Sequence, residues 1–174
     1  MNRIKLNNVV ILSGSHRKVG KTTLACKLIQ DFSKKYDVVG IKLSPHFHEL
    51  PDTYHSLIQN KYYSVIEDNI ESNKDSFLFK KSGAIASYYI QCKHDYFGYR
   101  AFYKILKQHS GCAFVVESGG LINYVHPKLF IFLQDELFTE KMEHLLNFNP
   151  IKLNMGHLSD NNVINKLIYD YIHD

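Results

Sequence analysis

Residues 9–23 read VVILSGSHRKVGKTT, and the fold turns on whether this stretch is a phosphate-binding loop. Its end, Gly20-Lys21-Thr22-Thr23, matches the close of the pattern G-x-x-x-x-G-K-[ST]. Counting back from Gly20 puts Ser15 at the first position, where glycine is usual, and Gly14 one residue early. The surroundings favour the motif. Val9–Ser13 is an apolar, β-branched run of buried-strand type. Lys21–Lys35 follows with Leu24, Leu28, Ile29 and Phe32 on one helical face. A strand, a short loop and a helix in that order aim successive backbone N–H groups and the positive helix end at an anion. On this reading Ser15, His16, Arg17, Lys18, Val19 and Gly20 form the cradle, with Lys21, Thr22 and Thr23 at the helix start. Lys21 reaches the outer phosphates and Thr22 gives its hydroxyl to Mg²⁺. Ser15 is tolerated provided its φ stays negative, leaving Gly14 to make the sharp turn. His16 stands where a related loop class, that of the MinD and ParA ATPases, carries a further lysine, so activation of that type is not expected.

Outward from the loop, strand and helix patterns alternate. Strands are expected at Val38–Leu43, Ala84–Gln91, Cys112–Glu117, Lys128–Leu133 and Ile151–Met155. Helices are expected at Lys74–Lys81 (stopped by Gly83), Tyr96–Gln108 and Glu136–Leu146, with a last one capped by Ser159. Val163, Ile164, Leu167, Ile168, Tyr171 and Ile172 form the apolar face of that last helix. Pro45–Glu71 reads as loop with a small hairpin. The alternation predicts an α/β fold, a three-layer P-loop NTPase sandwich with a mostly parallel sheet, formed by residues 1–174 as one nucleotide-binding domain. Ligands of such sheets sit beyond the carboxyl ends of the strands.

That edge rule selects the remaining candidates. Glu117 ends a strand where a carboxylate can hold a metal-bound water or orient an attacking one, and the following Ser118-Gly119-Gly120 permits close approach of a ligand. Asp75 opens a short helix and is a candidate second Mg²⁺ ligand, although the helix dipole alone also favours an acid there. Lys42 ends the second strand and can neutralise phosphate. His46 and His48 have metal-like spacing but no matching pair elsewhere, and read better as loop residues. Tyr62, Tyr63, Tyr88, Tyr89 and Tyr96 read as packing residues.

Composition sets bounds. The net charge of +4 suits an anionic ligand, yet the only arginines are Arg3, Arg17 and Arg100, and no Arg/Lys stripe of a nucleic-acid binder stands out. Three widely spaced cysteines without a C-x-x-C pair suit a reducing, cytoplasmic setting. No apolar run is long enough for a membrane span.

Several segments together resemble the MobB family, the molybdopterin-guanine dinucleotide biosynthesis protein B family. VVGIKLSPHFH (38–48) is similar to its strand ending in lysine with a His-bearing loop after it. KDSFLFKKSGA (74–84) resembles its Lys-Asp-[Ser/Thr] segment, and FVVESGGLINYVHPKLFIFL (114–133) its strand ending in Glu, a loop and the next strand. Order and spacing agree over about residues 8–135. The sequence departs at Ser15, at Leu43 in place of His, at Ser82 in place of Ala, and in Glu-Ser-Gly-Gly for Glu-Gly. The resemblance implies a nucleotide-binding protein that often dimerises, binds GTP, hydrolyses it weakly, and assists a molybdenum cofactor enzyme partner. It assigns catalysis to Lys21 and Glu117, phosphate contact to Lys42, and magnesium to Thr22, Asp75 and Glu117. Asp75 also matches the magnesium ligand of the related dethiobiotin synthetases. Alternatives stay open: a small-molecule kinase or ATP-dependent ligase, or a binding protein without hydrolysis. A kinase usually closes an arginine-bearing lid, which the scarcity of arginine does not favour. The choice between GTP and ATP is not readable, because the guanine motif Asn-Lys-x-Asp is absent where expected; Asn154 in KLNMGH is a weak candidate for base contact.

Overall fold

The structure is a computed structural model that describes residues 2–47, 56–67, 75–134 and 143–173. In chain order its elements are β1 (Ile4–Gly14), α1 (Lys21–Phe32), β2 (Val38–Ser44), β3 (Ser56–Gln59), β4 (Tyr63–Glu67), α2 (Asp75–Lys81), β5 (Ala86–Cys92), α3 (Asp95–Gln108), β6 (Ala113–Glu117), a 3-10 turn (Leu121–Asn123), β7 (Val125–Leu133), α4 (Glu143–Leu146), β8 (Ile151–Leu153), α5 (Met155–Ser159) and α6 (Asn161–His173). The described strands form one sheet in the order β3-β4-β5-β2-β6-β1-β7-β8. The six strands from β5 to β8 are mutually parallel, and the β3–β4 hairpin adds an antiparallel edge. The α/β, mostly parallel reading is therefore right, and the fold is that of a P-loop NTPase-like sandwich.

Parallel strands need crossovers, and the crossovers put helices on both faces. Alternate residues of each central strand consequently feed two separate cores. On one face Val10, Leu12, Val38 and Val115 pack with Leu24, Leu28 and Phe32 of α1, Phe79 of α2, and Ile164 and Leu167 of α6. On the other, Val9, Ile11, Ile41, Phe114 and Val116 pack with Ala101, Phe102 and Ile105 of α3 and Leu145 of α4. Three layers result. β1 and β6 are neighbours whose following connections leave on opposite faces, which opens a crevice at their carboxyl ends.

Gly40 in β2 is dictated by α2. A Cβ there would lie 2.7 Å from Cβ of Phe79 and 2.9 Å from its ring. Gly40→Ala should therefore overpack this seam and cost about 1–3 kcal/mol, measurable as a lowered urea midpoint; an unchanged midpoint would mean that α2 can shift freely.

Several boundaries differ from expectation. β1 begins five residues early, at Ile4, because Ile4–Leu6 pairs with Val125–Pro127 before an irregularity between Leu6 and Val10. β8 stops at Leu153 rather than Met155. Asn154 ends it by capping α5: its side chain accepts from the His157 N–H while its own N–H donates to the His157 ring. Ser159 does not cap the last helix. It closes α5, and Asp160 is the cap, its carboxylate accepting from the Asn162 N–H at 2.8 Å. Of the helix expected at Glu136–Leu146, only Glu143–Leu146 lies within the described residues, and it is helical. Gly83 does stop α2, at φ 106°. The hairpin expected within Pro45–Glu71 is β3–β4; His48 lies outside the described residues.

Candidate functional site

The loop after β1 sits at the predicted sheet edge, and its backbone answers the question of the missing glycine. Ser15 has no positive φ; the left-handed residues of the loop are Lys18 at 67° and Gly20 at 94°. Gly14 does not make the turn. It is required by close approach: a Cβ there would lie 2.7 Å from a Val19 methyl, 2.9 Å from the Leu133 carbonyl oxygen and 3.2 Å from the Lys21 stem. Ser15 is buried and its N–H donates to Leu133 O at 2.9 Å, tying the loop to β7. The requirement for glycine has moved one residue upstream, to the point where the loop folds back over its strand. Ser15→Gly should accordingly leave triphosphate affinity within about threefold, less than the tenfold that 1.4 kcal/mol represents. A gain of tenfold or more in a titration would mean that Ser15 strains the loop.

Gly20 leads into α1 in a left-handed conformation, and among the described residues no side chain caps the helix. The first turn carries no acid either. Four N–H groups at a helix start otherwise lack partners, so a helix of 12 residues presents them to whatever lies over the loop. Val19 is buried beneath the loop, whereas His16, Arg17, Lys18 and Thr23 are exposed. Lys21 folds across the loop, and its ammonium donates to the His16 carbonyl oxygen at 2.6 Å. The His16 ring turns to the Arg17 carbonyl.

Beside Thr22, two neighbouring strand ends bring the predicted polar residues Glu117 and Lys42 together. Leu12 of β1, Glu117 of β6 and Lys42 of β2 lie in register. Glu117 is 8 % exposed, and both of its oxygens are engaged. One accepts from the Thr22 hydroxyl at 3.0 Å, and the other faces the Lys42 ammonium at 3.5 Å. A carboxylate held by a hydroxyl and a cation at a strand end is compensated in charge without a fixed shell of further acids. Among the described residues no three of His, Cys, Asp and Glu converge. That donor set suits Mg²⁺, which takes one or two protein oxygens and completes its shell with water and phosphate. It does not suit a closed, all-protein cage.

Asp75 opens α2 as expected, and its side chain is outside the described contacts. The helix direction is informative: Phe79 lies over Gly40, and the Ile85 N–H donates to Val38 O. α2 thus runs antiparallel to β2, and its first residue lies toward the Lys42 end. His46 is exposed, with its N–H on the Ser44 hydroxyl at 3.3 Å.

The two glycines after Glu117 have different reasons. Among the described residues a Cβ on Gly119 would meet only the Ser13 hydroxyl, at 3.9 Å, which leaves room for a ligand. A Cβ on Gly120 would lie 2.1 Å from the Asp95 carboxyl, so Gly120 serves packing within the chain. Ser118 fixes the loop by accepting from the Leu121 N–H at 3.1 Å.

Sequence reasoning missed the wall on the far side of the loop. Leu158 and Met155 of α5 approach Gly20 so closely that a Cβ there would lie 2.6 and 2.8 Å from them. The Lys27 ammonium donates to Leu158 O. Asn154, the weak candidate for base contact, spends its carbonyl oxygen on the α5 cap. The KLNMGH stretch gave the signal for a cap, Asn followed three residues later by a polar side chain, but not for contact with the loop. Among the described residues the three cysteines form no disulfide. Cys92 is buried behind the site, where burial and then the nearby Asp95 push its thiol up to about 11, so it has little thiolate near neutrality.

Comparison with known proteins adds one relative. A 72-residue stretch, 41 % of the chain, is 31 % identical to a cobyrinate a,c-diamide synthase of Methanocaldococcus jannaschii. The chain spans only 14 % of that protein's length. No family model matches the chain, and no solved structure is significantly similar. The likeness supports a P-loop NTPase superfamily fold and reaches no finer.

Proposed function

We propose that this chain binds a magnesium nucleoside triphosphate, GTP or ATP, over the loop 15–22 and hydrolyses it slowly as an accessory in molybdenum cofactor maturation. One observation carries the nucleotide part: Thr22, Glu117 and Lys42 converge directly under an uncapped helix start. The resemblance to MobB carries the molybdenum part.

The residues divide the work. Backbone N–H groups of the loop and of the α1 start cradle phosphate oxygens. Lys21 exchanges its bond to the His16 carbonyl for the outer phosphates. Thr22 and Glu117 hold the magnesium ion, directly or through water, with Asp75 as a further ligand. When bound, the ion withdraws charge from the phosphate oxygens. Lys42 offsets the charge of Glu117 and adds positive charge beside the terminal phosphate. Glu117 is then placed to orient an attacking water.

A second reading is favoured by the relative. Its name describes making a diamide of cobyrinate, and turning a carboxylate into an amide requires activation. On that reading the same loop transfers a phosphoryl group to a small-molecule acceptor, as a kinase or ligase does. Single-turnover hydrolysis of Mg-GTP and Mg-ATP separates the two. The accessory role predicts rates below about 0.01 s⁻¹ that small carboxylic acids leave unchanged. Acceleration by orders of magnitude with such an acceptor would replace the first reading by the second.

A further inference from the structure

The face of α3 turned away from the sheet has a composition that the nucleotide site does not use. α3 buries Gly98, Ala101, Phe102 and Ile105 against the sheet. Its exposed residues include Tyr96, Arg100, Tyr103, Lys104 and Lys107, spaced i, i+4, i+7, i+8 and i+11, and so form one stripe. Large exposed rings with cations between them are not what solvent alone selects. Lys61 and Lys93 extend the positive charge from the adjoining strand ends. The acid of this helix, Asp95, has its carboxyl against Gly120.

What the rings still offer narrows the choice of partner. Tyr62 stacks on Phe97 at 4.3 Å, and Tyr99 on Tyr124 at 5.2 Å. Arg100 lies over Tyr96 and donates to its hydroxyl oxygen at 3.3 Å; Lys107 lies 4.8 Å over Tyr103. Ring faces are thus engaged within the chain, which counts against a platform for stacking bases. Cations and tyrosine hydroxyl protons remain, and both seek anionic oxygens. A second copy of this stripe would bring like charges together, which counts against a symmetric dimer through it.

We infer that the outer stripe of α3 is the docking surface for a carboxylate-rich segment of another protein. Arg100, Lys104 and Lys107 supply the charge, and the Tyr96 and Tyr103 hydroxyls donate to carboxylates. Tyrosine and arginine are the residues that most often anchor such interfaces. The stripe is independent of the nucleotide reading, although Asp95 and Tyr124 connect it to the loop that follows Glu117.

Fluorescence anisotropy with a labelled poly-glutamate peptide tests this on the whole chain. The peptide should bind, more weakly at higher salt. Arg100→Glu, Lys104→Glu and Lys107→Glu together should weaken it at least about tenfold. Lys34→Glu with Lys35→Glu, in the turn just after α1, should not. Tyr96→Phe with Tyr103→Phe removes only hydroxyls and should weaken binding by about threefold, less than 1 kcal/mol. Binding that is absent, or equally weakened by the α1 control, overturns the proposal. So does tighter binding of oligothymidylate or phosphatidylserine vesicles that survives the Tyr→Phe changes. Self-association in sedimentation that the charge reversals abolish would assign the stripe to a second copy and overturn it too.

Discussion

Lys21→Ala should lower the affinity for a magnesium triphosphate by about 100-fold or more. A charge-assisted hydrogen bond contributes about 1.5–3 kcal/mol, and an ammonium between two phosphates makes at least two. The bond to the His16 carbonyl, given up on binding, offsets part of this. A net of about 3 kcal/mol is about 100-fold. The fold should hardly notice, because the Lys21 ammonium lies at the loop surface and both cores lie elsewhere. Titration with a fluorescent nucleotide analogue gives the affinity, and a thermal melt reports the fold. Unchanged affinity in a folded variant would mean that the loop is not a triphosphate cradle.

Glu117→Gln should act on turnover more than on binding. Glutamine has the same shape, and its carbonyl oxygen can still accept from Thr22, but the charge facing Lys42 is gone. Single-turnover hydrolysis should fall by about 100-fold or more, the usual worth of a positioned acid or base. Affinity should change by less than about tenfold, because the backbone and Lys21 are intact. The magnesium concentration for half-maximal turnover should rise, since a neutral amide is a poorer ligand than a carboxylate. A variant that unfolds while its folded fraction turns over normally would make Glu117 a structural residue, buried as it is between Lys42 and Thr22.

The central strands were readable because burial on both faces leaves few polar interruptions. VVIL and FVV are such runs, and their order with the helices between them implied the parallel sheet. The start of β1 was not readable. Lys5, Asn7 and Asn8 lie on its exposed or half-buried side, so Ile4–Asn8 lacks the apolar run that marks the rest. The end of β8 depended on Asn154 starting a helix, and the start of α6 on Asp160 rather than Ser159 serving as its cap. Such local competition is decided by backbone direction, which composition does not carry.

Within the site, the residues on strand ends and in the loop were legible, because the sheet rule depends only on where strands stop. Lys42 and Glu117 meet as neighbours in register, and Thr22 meets them from the first turn of α1. The role of Gly14 and the contact of Asp95 with Gly120 were not legible. Each rests on two segments distant in sequence approaching within van der Waals contact, and only the folded chain specifies that. Tyr96 read simply as packing. The tyrosines of α3 do pack, but on one another at the surface, and their arrangement with Arg100 and Lys107 shows only in three dimensions.

Isothermal titration of the intact chain with Mg-GTP and Mg-ATP tests the central claim most directly. The geometry predicts saturable, one-site binding of at least one of them with a dissociation constant in the micromolar range, about −8 kcal/mol, weakened when EDTA removes magnesium. A folded protein that binds neither nucleotide at millimolar concentration would contradict it.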